Sequence, residues 1–297
     1  MKKILLIISV LLLAALPVAF AACSSISQQA LLQIGYVCSE NGEELYTYDV
    51  YHREGENKES LVKVGSMTMS YRLVKNKAVS LSDIESETGL RTFENVFGGR
   101  LTINVTLNNG DSVFSDVVYK SSQVAPIYSY KKTVIGGEEK IMQVVYGNGK
   151  YLHARRYEKT SADAETFQKV SDYRYKKDGC YDNEQIYALV RASQIESTSS
   201  FSISYSCVSP LAATVDTITI SKGSAVAPLE EALALPEDAK CYAVKISTGN
   251  SYASSYLLSI VNANTPEIRS TIKNAKKVIH TIVEDDYVYA LKSIDIN

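Results

Sequence analysis

The chain has 297 residues, with 31 Lys and Arg against 33 Asp and Glu and a formal charge of −2 at neutral pH. A nucleic-acid binder carries a basic face or stripe, whereas the basic clusters here (Lys131-Lys132, Arg155-Arg156, Lys176-Lys177 and Lys276-Lys277) are scattered dipeptides, so that class is excluded. The 21 Tyr, the absence of Trp and the abundance of Ser, Thr and Val suit half-buried pleated surfaces better than helices.

At the N-terminus, Lys2 and Lys3 precede an uncharged run from Ile4 to Ala22 and then small polar residues. This is the layout of a signal peptide, so residues 1–22 are expected to be removed. A retained anchor needs about 20 apolar residues and usually a charged stop beyond them, and Cys23-Ser24-Ser25-Ile26-Ser27 supplies none. Two processing signals overlap here. Ala19-Phe20-Ala21 has the small-x-small form that suits ordinary cleavage. Phe20-Ala21-Ala22-Cys23 resembles the lipobox of bacterial lipoproteins, with Phe where Leu is usual. Cys23, Cys38, Cys180, Cys207 and Cys241 make an odd number for an oxidising compartment, and acylation of Cys23 leaves an even four. The preferred reading is an exported lipoprotein of the cell envelope, tethered to the membrane by a lipid on Cys23. The alternative is a periplasmic or secreted soluble protein. Loss of Lys2 and Lys3 leaves a mature charge of about −4, which favours solubility and nothing more specific.

Residues 23–35 read as a linker or short helix, with Ile26, Ala30, Leu31 and Ile34 at near-helical spacing. Residues 36–297 read as a mainly antiparallel β domain with a sub-boundary near 121–126. Two-residue alternation predicts strands over 45–52, 60–64 and 67–74, divided by residues 53–58 and by Gly65. Leu101, Ile103, Val105 and Leu107 alternate with polar residues, and Asn108-Asn109-Gly110-Asp111 supplies the positive φ of a hairpin turn into 112–119. A meander follows over 127–135, 140–146 and 151–157, turning at Gly136-Gly137 and Gly147-Asn148-Gly149.

Residues 161–170 suggest a helical segment, and 185–192 a strand. Phe201, Ile203, Tyr205 and Cys207 alternate with serines, giving one buried and one wet face. Strands are also expected over 215–220, 240–247 and 254–261, with a closing hairpin over 277–283 and 287–294. The best helix is Ala227 to Leu235, with Pro228 near its start and Pro236 as its stop. Pro266 to Ile272 fits either a capped helix or a strand. The fold expected is mainly β: a large antiparallel sheet with one to three short helices.

Pairing 185–192 with 201–208 as antiparallel neighbours would bring Cys180 close to Cys207, so Cys180–Cys207 and Cys38–Cys241 are the favoured disulfides of three possible pairings. Buried thiols are the alternative.

From Val124 onward the chain resembles an uncharacterised family of bacterial exported proteins whose β half-barrel is like that of the periplasmic lipoprotein carriers LolA and LolB. The residues that carry the resemblance are Val124-Ala125-Pro126-Ile127-Tyr128, Glu139 to Tyr146, Tyr181-Asp182-Asn183-Glu184-Gln185-Ile186-Tyr187-Ala188-Leu189-Val190-Arg191 and Pro266-Glu267-Ile268-Arg269. It covers roughly the C-terminal half. It implies a sheet curved into a half-barrel or barrel round a helix or cavity, with no established activity, and a strand over 266–272.

No catalytic constellation stands out. None of His52, His153 and His280 has a second His or a Cys at i+2 or i+4. Gly249-Asn250-Ser251-Tyr252-Ala253 lacks the final Gly of a serine-nucleophile elbow and lies between strands. Asp83, Glu85, Glu87 and Glu94 match places in a calcium loop, but Gly89 falls one place late, so the string reads as a solvated acidic loop. Asn104-Val105-Thr106 fits a glycosylation acceptor but lies in a strand behind a bacterial-looking leader.

The tyrosine pairs Tyr46/Tyr48, Tyr173/Tyr175 and Tyr287/Tyr289 each place two rings on one face of a strand. They either line a cavity for an amphiphilic ligand or pack across strands. The function expected is therefore non-catalytic: an envelope lipoprotein binding a hydrophobic or amphiphilic small molecule or an envelope protein, with no cofactor and no metal. The rival is an adhesin-like or scaffold protein that contacts a macromolecule through its sheet faces and loops.

Overall fold

The computed structural model describes residues 43–54, 60–79, 93–120, 124–146, 151–159, 168–176, 180–193, 195, 201–208, 215–223, 229–234, 241–248, 256–262 and 277–296. The leader, Cys23, Cys38, the acidic string before residue 93, the elbow-like 249–253 and residues 266–272 lie outside them.

Among the described residues fifteen strands form one sheet. The first eight are β1 (Glu43–Glu54), β2 (Ser60–Val79), β3 (Phe93–Leu107), β4 (Ser112–Lys120), β5 (Pro126–Ile135), β6 (Glu138–Tyr146), β7 (Tyr151–Lys159) and β8 (Gln168–Lys176). The short β9 (Cys180–Asp182) leads through a 3-10 turn (Asn183–Gln185) into the helix α1 (Ile186–Ala192). Then come β10 (Ser202–Val208), β11 (Val215–Lys222), β12 (Cys241–Thr248), β13 (Tyr256–Asn262), β14 (Lys277–Glu284) and β15 (Tyr287–Ile296). Their spatial order is β8-β7-β6-β5-β4-β3-β2-β1-β15-β14-β13-β12-β11-β10-β9.

This order makes the sheet curl. Its two edge strands, β8 and β9, are separated in sequence only by residues 177–179, a link that spans at most about 14 Å. A flat sheet of this many strands would hold its edges about 65 Å apart. The edges are therefore rolled toward each other without joining in a ladder, which gives an open, barrel-like sheet. The large antiparallel sheet and its curvature agree with the reading of the sequence.

Every ladder is antiparallel except β9–β10. Following strand direction round the sheet, the parallel pairing leaves β9 running opposite to β8, the arrangement that so short a link can make. Parallel neighbours in turn require a crossover, usually helical, and α1 is that crossover. Residues 185–192 are thus not the strand expected from their alternation. Ile186, Ala188, Leu189, Val190, Arg191 and Ala192 are all buried, and a short segment buried on nearly every side has no solvated polar face to reveal helical period. Asp182 caps the 3-10 turn, accepting from the Glu184 N–H at 2.8 Å, while the Gln185 side chain accepts from the Asp182 N–H.

The main core lies inside the curl, between α1 and the inward side chains of the strands. Tyr46, Tyr48 and Val50 of β1, Met67, Met69 and Tyr71 of β2, and Leu101 and Ile103 of β3 contribute to it, as do Ile218 and Ile220 of β11. Alternation along β1 is complete from Glu44 to Val50, so its period-two reading is correct. Gly65 is not a break, because β2 runs through it. A Cβ there would lie 2.3 Å from the Thr106 carbonyl oxygen, so Gly65 permits the close approach of β3.

The outer face is covered locally. Tyr51, Val288 and Ala290 pack with Leu229 and Ala232, and the Leu233 N–H donates to the Leu291 carbonyl at 2.6 Å. The register skips Lys292 at this point, where β15 bulges against β1. The helix expected over 227–235 is therefore replaced, in its described part (229–234), by a turn and extended strap bound to the sheet. Leu229 and Ala232, two of the apolar residues that suggested a helix face, are used to cover β1 and β15. Of the segment expected to be helical over 161–170, residues 168–170 belong to β8 and the rest lies outside the described residues.

Candidate functional site

Helix α1 fills the curl incompletely. At the end where the 3-10 turn begins, the sheet leaves a cleft of about 530 Å³. The alternation that buries Leu101 and Ile103 continues into Val105 and Leu107, which are only half-buried because they floor this cleft. Met67 extends the floor from β2. Tyr287 and Tyr289 of β15 and Tyr187 of α1 form much of its aromatic wall, and His52 stacks edge-on against Tyr287 with ring centroids 5.1 Å apart.

A polar end closes the cleft. Ser115 donates to Glu184 Oε2 at 2.5 Å, and Lys131 Nζ lies 2.9 Å from Oε1. Register explains the meeting, because Ile103, Ser115 and Lys131 occupy one row across β3, β4 and β5 on the inner face. Burial would raise the Glu184 carboxyl, but Lys131 and Ser115 outweigh it and hold Glu184 below the usual carboxylate range.

Behind Glu184, Asp182 is fully buried. Ser129 Oγ and Tyr146 Oη donate to the same oxygen, the tyrosine at 2.5 Å. Burial, reinforced by the Glu184 charge, nevertheless pushes the Asp182 pKa up to about 7. This network joins the edge strand β9 and its 3-10 turn to the inner faces of β4, β5 and β6, and so holds the roll in shape.

The tyrosine pairs separate by location. Tyr287 and Tyr289 line the cleft as their pattern allowed. Tyr46 and Tyr48 are buried in the core, with Tyr46 Oη donating to Glu44 at 2.7 Å and Tyr48 Oη to the Ile279 carbonyl at 2.8 Å. Their hydroxyls are used internally. Tyr173 and Tyr175 lie on β8, and their side chains fall outside the described residues.

Cys180 and Cys241 are free thiols, the first buried and the second exposed, so neither expected bridge is present among the described residues. Cys180 is registered with Ser206, and Cys207 with Tyr181. The two cysteines thus hold adjacent places across the ladder instead of the opposed places expected of a cross-strand bridge. The antiparallel pairing that suggested the bridge is replaced by the β9–α1–β10 crossover. Burial, followed by the nearby Asp182 charge, pushes the Cys180 pKa up to about 12. His280 also belongs to the frame. Its Nε2 lies 2.8 Å from the Leu233 carbonyl of the outer strap, and burial lowers its pKa.

Sequence reasoning missed Ser115, Lys131 and Glu184 as a group. The inward places of Ser115 and Lys131 could be read from alternation, but their meeting with Glu184 depends on the unforeseen parallel pairing that brings the 3-10 turn inside the roll.

No protein-family model matches the chain, and no curated protein matches it. Among solved structures the chain is similar to the β-barrel-like protein of domain of unknown function DUF1849 from Brucella abortus, with a TM-score of 0.50 and 8% identity. The match covers 86% of this chain and 98% of that one. The likeness is one of fold: an extended antiparallel sheet rolled into a barrel-like body.

Proposed function

We propose that the protein is a non-catalytic binding module whose rolled sheet takes one hydrophobic or amphiphilic molecule in the cleft beside α1. The observation that carries this reading is a concavity of about 530 Å³ with an apolar floor, tyrosine walls and one convergent polar end, the composition that small-molecule sites share. Val105 and Leu107 are left half-buried on a face whose other described members, Gly99, Leu101 and Ile103, are buried, and an alkyl chain laid across them would remove that surface from water at about 25 cal/mol per Å².

The reading includes export and tethering. Residues 1–22 act as the signal, Cys23 carries the lipid, and the protein works at the envelope membrane in the manner of the LolA- and LolB-like half-barrels that its C-terminal half resembles. Native mass spectrometry of the purified protein, followed by solvent extraction, tests the cleft. A bound species that is lost in Val105→Trp, which fills the floor, is the expected result. A ligand-free protein that also fails to take up alkyl probes would defeat the proposal and leave contact through sheet faces and loops as the alternative. Palmitate labelling with and without Cys23→Ala tests the tether, and labelling that survives the change would exclude it.

A further inference from the structure

We infer that β9 and the 3-10 turn after it form a proton-operated latch at the polar end of the cleft, clasped to β4, β5 and β6 while Asp182 holds its proton and swinging away from them as it gives the proton up. Side chains make the clasp. Asp182 Oδ1 caps the turn by accepting from the Glu184 N–H at 2.8 Å, and Oδ2 accepts from Ser129 of β5 and Tyr146 of β6. Glu184 accepts from Ser115 of β4 and Lys131 of β5. Gln185 Nε2 donates to the Val124 carbonyl, two residues before β5, at 2.8 Å. Asn183, Glu184, Ile186 and Tyr187 line the cleft, so a movement of the turn moves a wall of the cleft.

Two independent features bias the clasp toward release. The first is charge. Around Asp182 the titratable and charged groups among the described residues are Cys180 and Glu184 on its own segment, Lys131 on β5 and Tyr146 on β6. From β10, Tyr205 packs edge-on against Tyr181, and β4 offers Ser115 on this face, with Asp116 bonded to Arg100 on the other. Lys131 is bonded to Glu184, so an ionised Asp182 is a second buried negative charge beside one already there. Burial, reinforced by the Glu184 charge, pushes the Asp182 pKa up to about 7, and the clasped form therefore holds the proton more tightly than an open form whose carboxyl meets water. The clasp is complete below the ordinary carboxylate range and weakens as the pH rises from there through about 7.

The second feature is backbone strain. Val124 is fully buried with φ of 54°, a region that is costly for a β-branched residue and persists where the surroundings enforce it. Gln185 supplies part of that enforcement, so departure of the turn lets Val124 relax, and the relaxation assists opening. The latch bears on ligand exchange in a way that rests on the cleft being a ligand site: a molecule held against the clasped wall and the proton on Asp182 support each other.

Hydrogen exchange of the whole protein from pH 5 to pH 8.5, with each rate divided by the unstructured rate at that pH, tests the latch. Opening of the segments 180–187 and 124–128 is expected to rise together by at least about tenfold between pH 5 and pH 7 and to level off above, while β1 stays unchanged. Asp182→Asn, checked for fold by circular dichroism, is expected to flatten the rise. In Tyr146→Phe, which removes a donor to the carboxylate, the level stretch should begin at a higher pH. A rise absent from the parent, matched by β1, or kept in Asp182→Asn would overturn the latch and leave the cleft reading standing. Saturating monomeric decyl maltoside is expected to slow opening of 180–187 several-fold. Binding without that slowing would overturn the link to ligand exchange, and no binding at any pH would overturn the cleft reading while exchange alone decides the latch.

Discussion

Arg191 Nη2 donates to Glu44 Oε2 at 2.7 Å across 147 residues of sequence, with both side chains about 1% exposed. The guanidinium carbon also lies 4.1 Å from the centre of the Tyr71 ring and 5.6 Å from that of Tyr46. Burial opposes the charge on Arg191, but Glu44, Tyr46 and Tyr71 outweigh it and raise its pKa. The pair pins α1 to β1 at the centre of the roll. Arg191→Met should leave the Glu44 carboxylate buried without its cation and cost about 3 to 5 kcal/mol. Adding Glu44→Gln should recover part of that loss, because the uncompensated charge is then gone. Urea unfolding followed by circular dichroism measures both; a single substitution within about 0.5 kcal/mol of the parent would show that the pair does not hold the helix.

Asp182 gives stability a pH dependence whose sign can be worked out. Its folded pKa of about 7 is above the ordinary 3.8, so the folded chain binds the proton more tightly than the unfolded chain does. Its contribution is complete below about pH 4 and is lost as the pH rises through about 7, at no more than about 1.4 kcal/mol per pH unit. Glu184 has its pKa lowered from 4.5 and acts below that window, while buried His280, lowered from 6.5, favours folding as the pH rises toward that value. Asp182→Asn should remove the Asp182 component and leave the other two. The difference between parent and variant midpoints in urea should therefore change between pH 5 and pH 8, and a difference that stays constant would contradict the assignment.

Gly65→Ala should destabilise by about 1 to 3 kcal/mol, the usual range for forcing extra carbon into close packing, because its Cβ would stand 2.3 Å from the Thr106 carbonyl oxygen. Thermal unfolding of the variant checks this. An unchanged midpoint would mean that β2 and β3 can separate at that point without loss.

The described thiols should differ sharply in reactivity. Cys180 is buried with its pKa pushed up to about 12, so almost none of it is thiolate near neutrality, and the thiolate is the nucleophile. Cys241 is exposed, and partial burial raises its pKa more modestly. A short maleimide pulse at pH 8 with peptide mapping should label Cys241 in the native protein and Cys180 only after denaturation.

Much of the fold could be read from the sequence because a sheet with one buried face writes its burial at period two. Tyr46, Tyr48 and Val50 on β1 and Leu101 to Leu107 on β3 show it, and Asn109-Gly110 and Gly136-Gly137 mark real turns. What stayed hidden depends on contacts distant in sequence. Residues 186–192 are apolar on nearly every side, so no period distinguished helix from strand, and losing that helix also lost the parallel pairing and misplaced Cys180. The same limit divides the tyrosines. Tyr46/Tyr48 and Tyr287/Tyr289 have identical spacing, but the first pair lies in the core while the second lines the cleft that α1 leaves open.

The short link between β8 and β9 limits how the molecule can breathe. A sheet rolled on itself, with its two margins tied by three residues, cannot flatten while that tie is intact. Among the described residues no ladder crosses between those margins, so dilation is easiest there.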